Sequence, residues 1–343
     1  MSKAFVWLAC LLIFASTALG AEFEKGLIFQ PTSKLPSNHA STLIALPDGD
    51  MLCAWYAGKR EGAPDVAIYL SRYEKEKGTW SEPKLLVDTP NKPEGNPVLF
   101  LAPDGKIWLF FVTIEGLNWT MASIKYTVSE DGGKTFGEVK YFRKKWGWMP
   151  RNHIVVLSSG EWLFPLYDEI FCNAVFMISK DGGASWERAG RIKSIPGNEQ
   201  PAVVELDDGT LLALMRTCGR GSYIWRAYSK DKGFTWTKAE QIELPNPNAG
   251  IDLLKLRTGE LIVAYNDSQR KRTPLSLAIS TDNGKSWKKV YDIETEKGEF
   301  SYPSLAQAPD GKIWMTYTWK RKSIGWIRFE REWLLNKLNN LTE

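Results

Sequence analysis

The chain comprises 343 residues, 43% of them hydrophobic and 24% charged, a balance that excludes a disordered chain or a collagen-like fibre. A formal net charge of +4 is too small to argue for a nucleic-acid partner, and two histidines leave little room for a histidine-based metal site or relay. Sixteen tryptophans demand an explanation of their own.

In chain order, Lys3 precedes an apolar run from Ala4 to Ala15, and Ala18-Leu19-Gly20 supplies small residues before Ala21. This pattern predicts a secretory signal peptide over residues 1–20, a mature domain over 21–343, and a secreted or periplasmic location. The run is shorter than the ~20 residues a span needs, and no later run is longer, so no membrane span is expected. Beyond the signal, Cys53, Cys172 and Cys218 remain. An odd number without close spacing allows at most one bridge, and buried free thiols are the expectation.

The body of the chain repeats. Ser41–Gly58, Asn96–Thr113, His153–Asp168, Pro201–Thr217, Ile251–Asp267 and Pro303–Trp319 each read as an alternating apolar run, a two-residue turn and a second run rich in aromatics. The turns end in Gly49, Gly105, Gly160, Gly209, Gly259 and Gly311, which lie 56, 55, 49, 50 and 52 residues apart. Six β-rich units of about fifty residues predict an all-β fold, a six-bladed β-propeller forming one closed domain, expected as a monomer. Residues 22–35 are the expected partner for ring closure, and a short helix is expected around Glu330–Leu338.

A second repeat rides on the first. Ser129–Phe136, Ser179–Trp186, Ser229–Trp236 and Ser280–Trp287 share Ser-x-Asp-x-Gly-x-Ser/Thr-aromatic, and Ser71–Trp80 reads as a decayed fifth copy. Asp and Ser/Thr can bond to nearby backbone and hold a tight turn, while the terminal aromatic packs between strands. The motif is therefore structural, and it absorbs part of the tryptophan excess.

Function must come from residues that depart from the repeat. At the ends of the strands expected nearest the axis, where loops converge, the sequence places His39, Arg60, Asp65, Arg151, Glu199, Arg216, Arg272 and Tyr302. Here the chain resembles the sialidase superfamily, whose Asp-box is the eight-residue motif above, and more narrowly its predicted-neuraminidase branch. The stretch Gly197–Leu206, running on to Arg216, resembles the segment whose Glu activates the nucleophile and whose Arg holds the substrate carboxylate. Arg272–Leu277 is similar to the segment bearing another arginine of that triad. Ser301-Tyr302-Pro303 resembles the motif of the nucleophilic Tyr, and Ala57–Asp65 the loop whose Asp is the acid/base. The first triad arginine has no counterpart, because His39-Ala40-Ser41 stands where the family carries Arg-Ile-Pro. The Glu that orients that arginine is not apparent near Tyr317–Arg321.

The resemblance implies a retaining exo-glycosidase that removes a terminal sialic acid or a related acidic sugar. Tyr302, Glu199 and Asp65 would be catalytic, with Arg216, Arg272, Arg60, His39 and Arg151 binding substrate. A phenol nucleophile suits a sugar whose anomeric carbon already carries a carboxylate, and arginines suit that carboxylate because a guanidinium bonds both oxygens. The implied mechanism uses no cofactor, and no metal-ligand cluster is expected; the expected partner is a glycan substrate. Two alternatives stay open: a glycosidase or lyase for another acidic or deoxy sugar, which His39 favours, and a noncatalytic carbohydrate-binding propeller.

Overall fold

The computed structural model describes residues 23–340, so the expected signal peptide lies outside the described residues. Six antiparallel sheets follow one another around an axis. Blade 1 is built from Ser37–Ala45, Met51–Gly58 and Ala67–Glu74, with Thr79–Trp80 and Lys84–Val87 on its outer edge. Blade 2 comprises Glu94–Leu101, Ile107–Ile114, Ala122–Ser129 and Lys140–Arg143. In blade 3 the innermost strand is split into Trp148–Pro150 and Val155–Val156, followed by Trp162–Asp168, Asn173–Ser179 and Glu187–Ile192. Blade 4 has Asn198–Glu205, Leu211–Thr217, Ser222–Ser229 and Glu240–Asn246, and blade 5 has Asp252–Lys255, Leu261–Asn266, Leu275–Ser280 and Lys288–Glu294. Blade 6 takes Phe300–Gln307, Ile313–Trp319 and Ser323–Phe329 from the C-terminal part of the chain, and Phe23–Leu27 completes it on the outside. That pairing closes the ring with the predicted N-terminal segment. The chain then enters the helix Arg331–Asn339, whose Trp333 stacks on Phe23 at 4.6 Å between ring centroids.

All six hairpin glycines have positive φ, between +78° and +101°. The turns hold three residues rather than the expected two. In each, the glycine N–H donates to the residue three positions back, as Gly49 does to Leu46 at 3.0 Å, and that residue's own N–H donates across the turn, here to Asp50 at 2.8 Å. A type I turn followed by a left-handed glycine has this geometry, and it explains why a small polar residue precedes each glycine: the Asp48 carboxylate accepts from the N–H of Asp50 at 3.0 Å.

The four boxes sit between the third and fourth strands of blades 2–5. In the box of blade 4, Ser229 Oγ accepts from Gly233 N–H at 2.9 Å and donates to Asp231 at 2.8 Å, while Asp231 accepts from Thr235 N–H at 2.8 Å. These hydrogen bonds to the ionised form hold the Asp231 carboxyl below its ordinary range against the cost of its partial burial. The aromatics fill the gaps between sheets: Trp236 stacks on Phe176 at 4.6 Å, Phe110 meets Phe164 at 4.7 Å, and Trp80 and Trp314 both pack on Tyr73. Tryptophan is thus a wedge between neighbouring blades, each ring contributing on the order of 1.5–3 kcal/mol of apolar burial.

Near the axis the innermost strands of adjacent blades are tied by side chains. Thr42 Oγ1 accepts from Leu99 N–H at 3.2 Å, Ser304 Oγ from Leu43 N–H at 3.0 Å, and Asp252 Oδ2 from Leu305 N–H at 2.7 Å. The cysteines correct the sequence expectation in part. Cys53 is free and buried, but Cys172 and Cys218 form a disulfide. Both follow the second strand of their blade, so neighbouring repeats bring them together across 46 positions of sequence.

Candidate active site

Four innermost strands carry a bulge at the same place. Register slips by one residue between His39 and Thr42, Gly95 and Val98, Glu199 and Ala202, and Ser301 and Ser304. In each bulge one residue is left-handed: Ala40 (φ +54°), Asn96 (+44°), Gln200 (+52°) and Tyr302 (+55°). Three are followed by proline, whose missing N–H a bulge tolerates. Bulges re-aim side chains, and these open a cavity of about 160 Å³ on the axis, lined among others by Tyr56, Glu61, Asn96, Trp119, Tyr167, Glu169, Gln200, Arg216, Asn248, Arg272 and Tyr302. That is smaller than the roughly 300–1,000 Å³ of drug-sized pockets.

Tyr302 is the strained member of the set. A bulky aromatic at φ +55° costs on the order of 1–3 kcal/mol, a conformation asparagine tolerates far better. Its ring is held by His39, 4.3 Å away between centroids, and by the guanidiniums of Arg151 and Arg272, each 5.2 Å from its centre. Its hydroxyl accepts from Arg216 Nη1 at 2.8 Å. Arg216 also donates from Nε to Glu199 at 3.1 Å and from Nη2 to the same oxygen, Glu199 and Arg216 being direct cross-strand neighbours. Both are almost fully buried. Glu199 therefore reaches the phenol through Arg216.

A second ion cluster stands beside the first. Glu299 accepts from Arg272 Nη1 at 2.6 Å, Arg321 Nε at 2.8 Å and Ser301 Oγ at 3.0 Å. Burial opposes ionisation of Glu299, but the two guanidiniums win and hold its carboxyl below the ordinary value. Arg321 rides on a tight turn in which Lys320 and Arg321 both have positive φ, and it also donates to Glu61 at 2.5 Å. Its Nη2 lies 3.3 Å from His39 Nε2, and His39 Nδ1 is 2.8 Å from Thr318 Oγ1. Donation from the guanidinium assigns the His39 proton to Nδ1. Burial first, then the fields of Arg321, Arg272, Arg151 and Arg216, push the His39 pKa well below its usual value, so His39 is neutral.

Of the eight sequence-derived residues, the structure brings together His39, Arg151, Glu199, Arg216, Arg272 and Tyr302. Arg60 and Asp65 stand apart: both are exposed, and neither lines the cavity. Asp65 accepts from Lys59 N–H at 3.1 Å and holds its own loop, with its charge felt at Tyr69. Glu61 is the member of that loop that reaches the cavity. The sequence reading also missed Glu299 and Arg321, the latter a cation beside His39, and Glu169 just past the second strand of blade 3. Burial and then the Glu199 carboxylate raise the Glu169 carboxyl, Arg216 partly offsets them, Glu61 adds to the rise, and the value reaches about 7. His153, below the cavity, meets both Ser304 Oγ (3.1 Å) and Asp252 Oδ2 (3.2 Å) through Nε2 alone, so the three make no nucleophile relay.

Asp-box turns, six antiparallel blades and an axial cavity of arginines, carboxyls and one strained tyrosine define a propeller of the sialidase superfamily. The BNR repeat-like domain matches residues 49–315, and the chain belongs to that family. Among curated proteins, a sialidase of Micromonospora viridifaciens is 24% identical over 91% of this chain and 54% of its own length. An anhydrosialidase of Macrobdella decora is 24% identical over 49% of this chain and 25% of its own. The chain thus spans about half the length of the first and a quarter of the second. Among solved structures, a protein of unknown function from Dyadobacter fermentans superposes with a TM-score of 0.77 at 19% identity, covering 90% of this chain and 98% of that one. Trypanosoma rangeli sialidase in complex with the inhibitor DANA gives 0.76 at 16%, covering 93% and 62%. These likenesses establish the fold.

Proposed function

We propose that the protein is a retaining exo-glycosidase of sialidase type acting on a terminal sialic acid or a closely related acidic sugar of a glycan. The observation that carries this reading is Tyr302, held at φ +55° with its hydroxyl on Arg216, which is itself paired with Glu199. A phenol of ordinary pKa about 10 is a poor nucleophile at neutral pH. A guanidinium on its oxygen stabilises the phenolate that attack requires, and Glu199, on the same guanidinium, is the base that accepts the proton. Arg272 at the cavity wall and Arg321 beside His39, oriented by a shared carboxylate, suit a substrate carboxylate. Gln200 Oε1 and Asn248 Oδ1 are buried acceptors without a hydrogen-bond partner among the described residues, matched to sugar hydroxyl or amide donors. The names of the relatives support the same substrate class. A disulfide-bonded domain fits the secreted or periplasmic location that a signal peptide implies.

The neutral His39, where the family carries its first triad arginine, favours a second reading in which the sugar is a different acidic or deoxy one. A fluorogenic sialoside assayed beside a panel of aryl glycosides separates the two. The expected result is turnover of the sialoside and its loss in Tyr302→Phe. Turnover of another member alone selects the second reading; turnover undiminished in Tyr302→Phe removes the nucleophile assignment, and sugar binding with no turnover at all leaves a noncatalytic propeller.

A further inference from the structure

We infer that Glu169 is the general acid of this site. The inference rests on the glycosidase reading above and assigns the proton donor that Asp65 is badly placed to be.

The argument begins with which carboxyls are already committed. Glu61 is paired with Arg321, Glu199 with Arg216, and Glu299, behind the wall, with Arg272 and Arg321. An anion held by a guanidinium is a poor acid. Asp65 is exposed and occupied with its own loop. Glu169 lines the cavity, half-buried, and its carboxyl has no hydrogen bond or ion pair among the described residues.

Its backbone, in contrast, is fixed on every side. Glu169 N–H donates to Gly147 O at 2.7 Å. The N–H groups of Ile170 and Phe171 both reach Asp168 Oδ1 at 3.2 Å, and Asp168 is anchored by Trp148 Nε1 at 3.0 Å and by Arg191. Three residues on, the Cys172–Cys218 disulfide ties the loop to blade 4. A rigid loop thus presents one uncommitted carboxyl to the cavity that holds Tyr302. The charged and titratable groups facing it are Glu199 and Arg216 from blade 4, Glu61 from the blade 1 loop and Tyr167 from its own strand. Two like charges against one cation, in a partly desolvated setting, keep a proton on Glu169 up to neutral pH.

In the first step Tyr302 Oη bonds to the anomeric carbon and its proton passes to Glu199. The glycosidic C–O bond breaks with its electron pair on the leaving oxygen, which takes the Glu169 proton. In the second step the Glu169 carboxylate removes a proton from water as the water oxygen replaces Tyr302 on the anomeric carbon, and the phenolate recovers its proton from Glu199.

The test compares Glu169→Gln, Asp65→Asn and wild type on a nitrophenyl sialoside, whose leaving group needs little protonation, and on an alkyl-linked sialoside such as sialyllactose, whose leaving group needs it fully. Glu169→Gln should lose about 10²–10⁴-fold in kcat/KM on the alkyl-linked substrate and far less on the nitrophenyl one. Wild-type kcat/KM should fall as pH rises past about 7, and this limb should vanish in the variant. Equal losses on both substrates, an unchanged alkaline limb, or the leaving-group dependence appearing in Asp65→Asn instead would each overturn the assignment while leaving the glycosidase reading intact. A wild-type protein that cleaves neither sialoside nor any other glycoside overturns both.

Discussion

Glu299 offers a quantitative check on how the cationic wall is held. Its carboxylate receives two charge-assisted hydrogen bonds, from Arg272 at 2.6 Å and Arg321 at 2.8 Å, and one from Ser301 at 3.0 Å. Glu299→Gln keeps the shape, removes the charge and leaves one acceptor for three donors. A hydrogen bond to a charged group contributes about 1.5–3 kcal/mol. The three ionic side chains are 25–28% exposed, so solvent screening trims the sum, and a loss of about 2 kcal/mol at pH 7 is expected. The pH dependence carries a definite sign. The carboxyl lies below its ordinary value in the folded protein, so the unfolded chain binds its proton more tightly. The stabilisation is therefore complete above the unfolded value of about 4.3 and lost as pH falls through the lower folded value. Urea unfolding of wild type and variant at a series of pH values should give a gap of about 2 kcal/mol at pH 7 that closes on acidification below the ordinary glutamate range. No gap at pH 7, or one that persists unchanged into acid, would refute the reasoning. On an acidic substrate the same variant should raise KM more than it lowers kcat, because it loosens groups that bind the sugar without reacting.

Two further substitutions probe the scaffold. Ser229→Ala removes a buried hydroxyl that accepts from Gly233 N–H; stranding that donor should cost about 1–3 kcal/mol in denaturant unfolding, with kcat/KM unchanged because the box lies outside the cavity. Gly221→Ala would place a Cβ 1.7 Å from the Gln269 carbonyl oxygen and 3.0 Å from Pro247 Cα. Since both neighbours are backbone, a loss of about 1–3 kcal/mol is expected in thermal unfolding, and an unchanged melting temperature would show that the two loops shift freely.

The blades were legible because their determinants recur. A glycine forced to positive φ at the end of each hairpin turn, a box whose Asp and Ser serve the local backbone, and aromatics wedged between sheets each leave a mark once per repeat. Tyr302, Glu199, Arg216 and Arg272 were legible for the opposite reason: they break the repeat at strand ends, where a resemblance could be anchored residue by residue. Arg321, Glu299, Glu61 and Glu169 carry no such marker. Each sits on a loop or just beyond a strand end, and its role depends on which charge from another blade stands opposite. Asp65 follows Pro64, where an acid satisfies loop capping and the expected catalytic position equally well, and only the path of the loop separates it from Glu61, which lines the cavity. The disulfide left a trace: the separation of 46 positions from Cys172 to Cys218 nearly equals the blade spacing at that point, which places the two cysteines at equivalent positions on adjacent blades.

The bulge on the innermost strand explains how a repeating scaffold yields an asymmetric site. Ala40, Asn96, Gln200 and Tyr302 occupy one structural position on four blades, and Gly250 stands at the corresponding place of blade 5. The position aims whatever side chain it carries at the axis, so the blades cannot all carry a large one. A Cβ on Gly250 would sit 3.1 Å from the Tyr302 ring and 3.2 Å from Gln200 Oε1, so a side chain there would press on the tyrosine ring. The strain in Tyr302 is likewise sustained by neighbours from other blades: His39 and Arg151 against its ring, and Arg216 on its hydroxyl. The placement of Tyr302 therefore resides in the relation between blade 6 and the blades it faces, in a ring that the pairing of Phe23–Leu27 with Ser323–Phe329 closes.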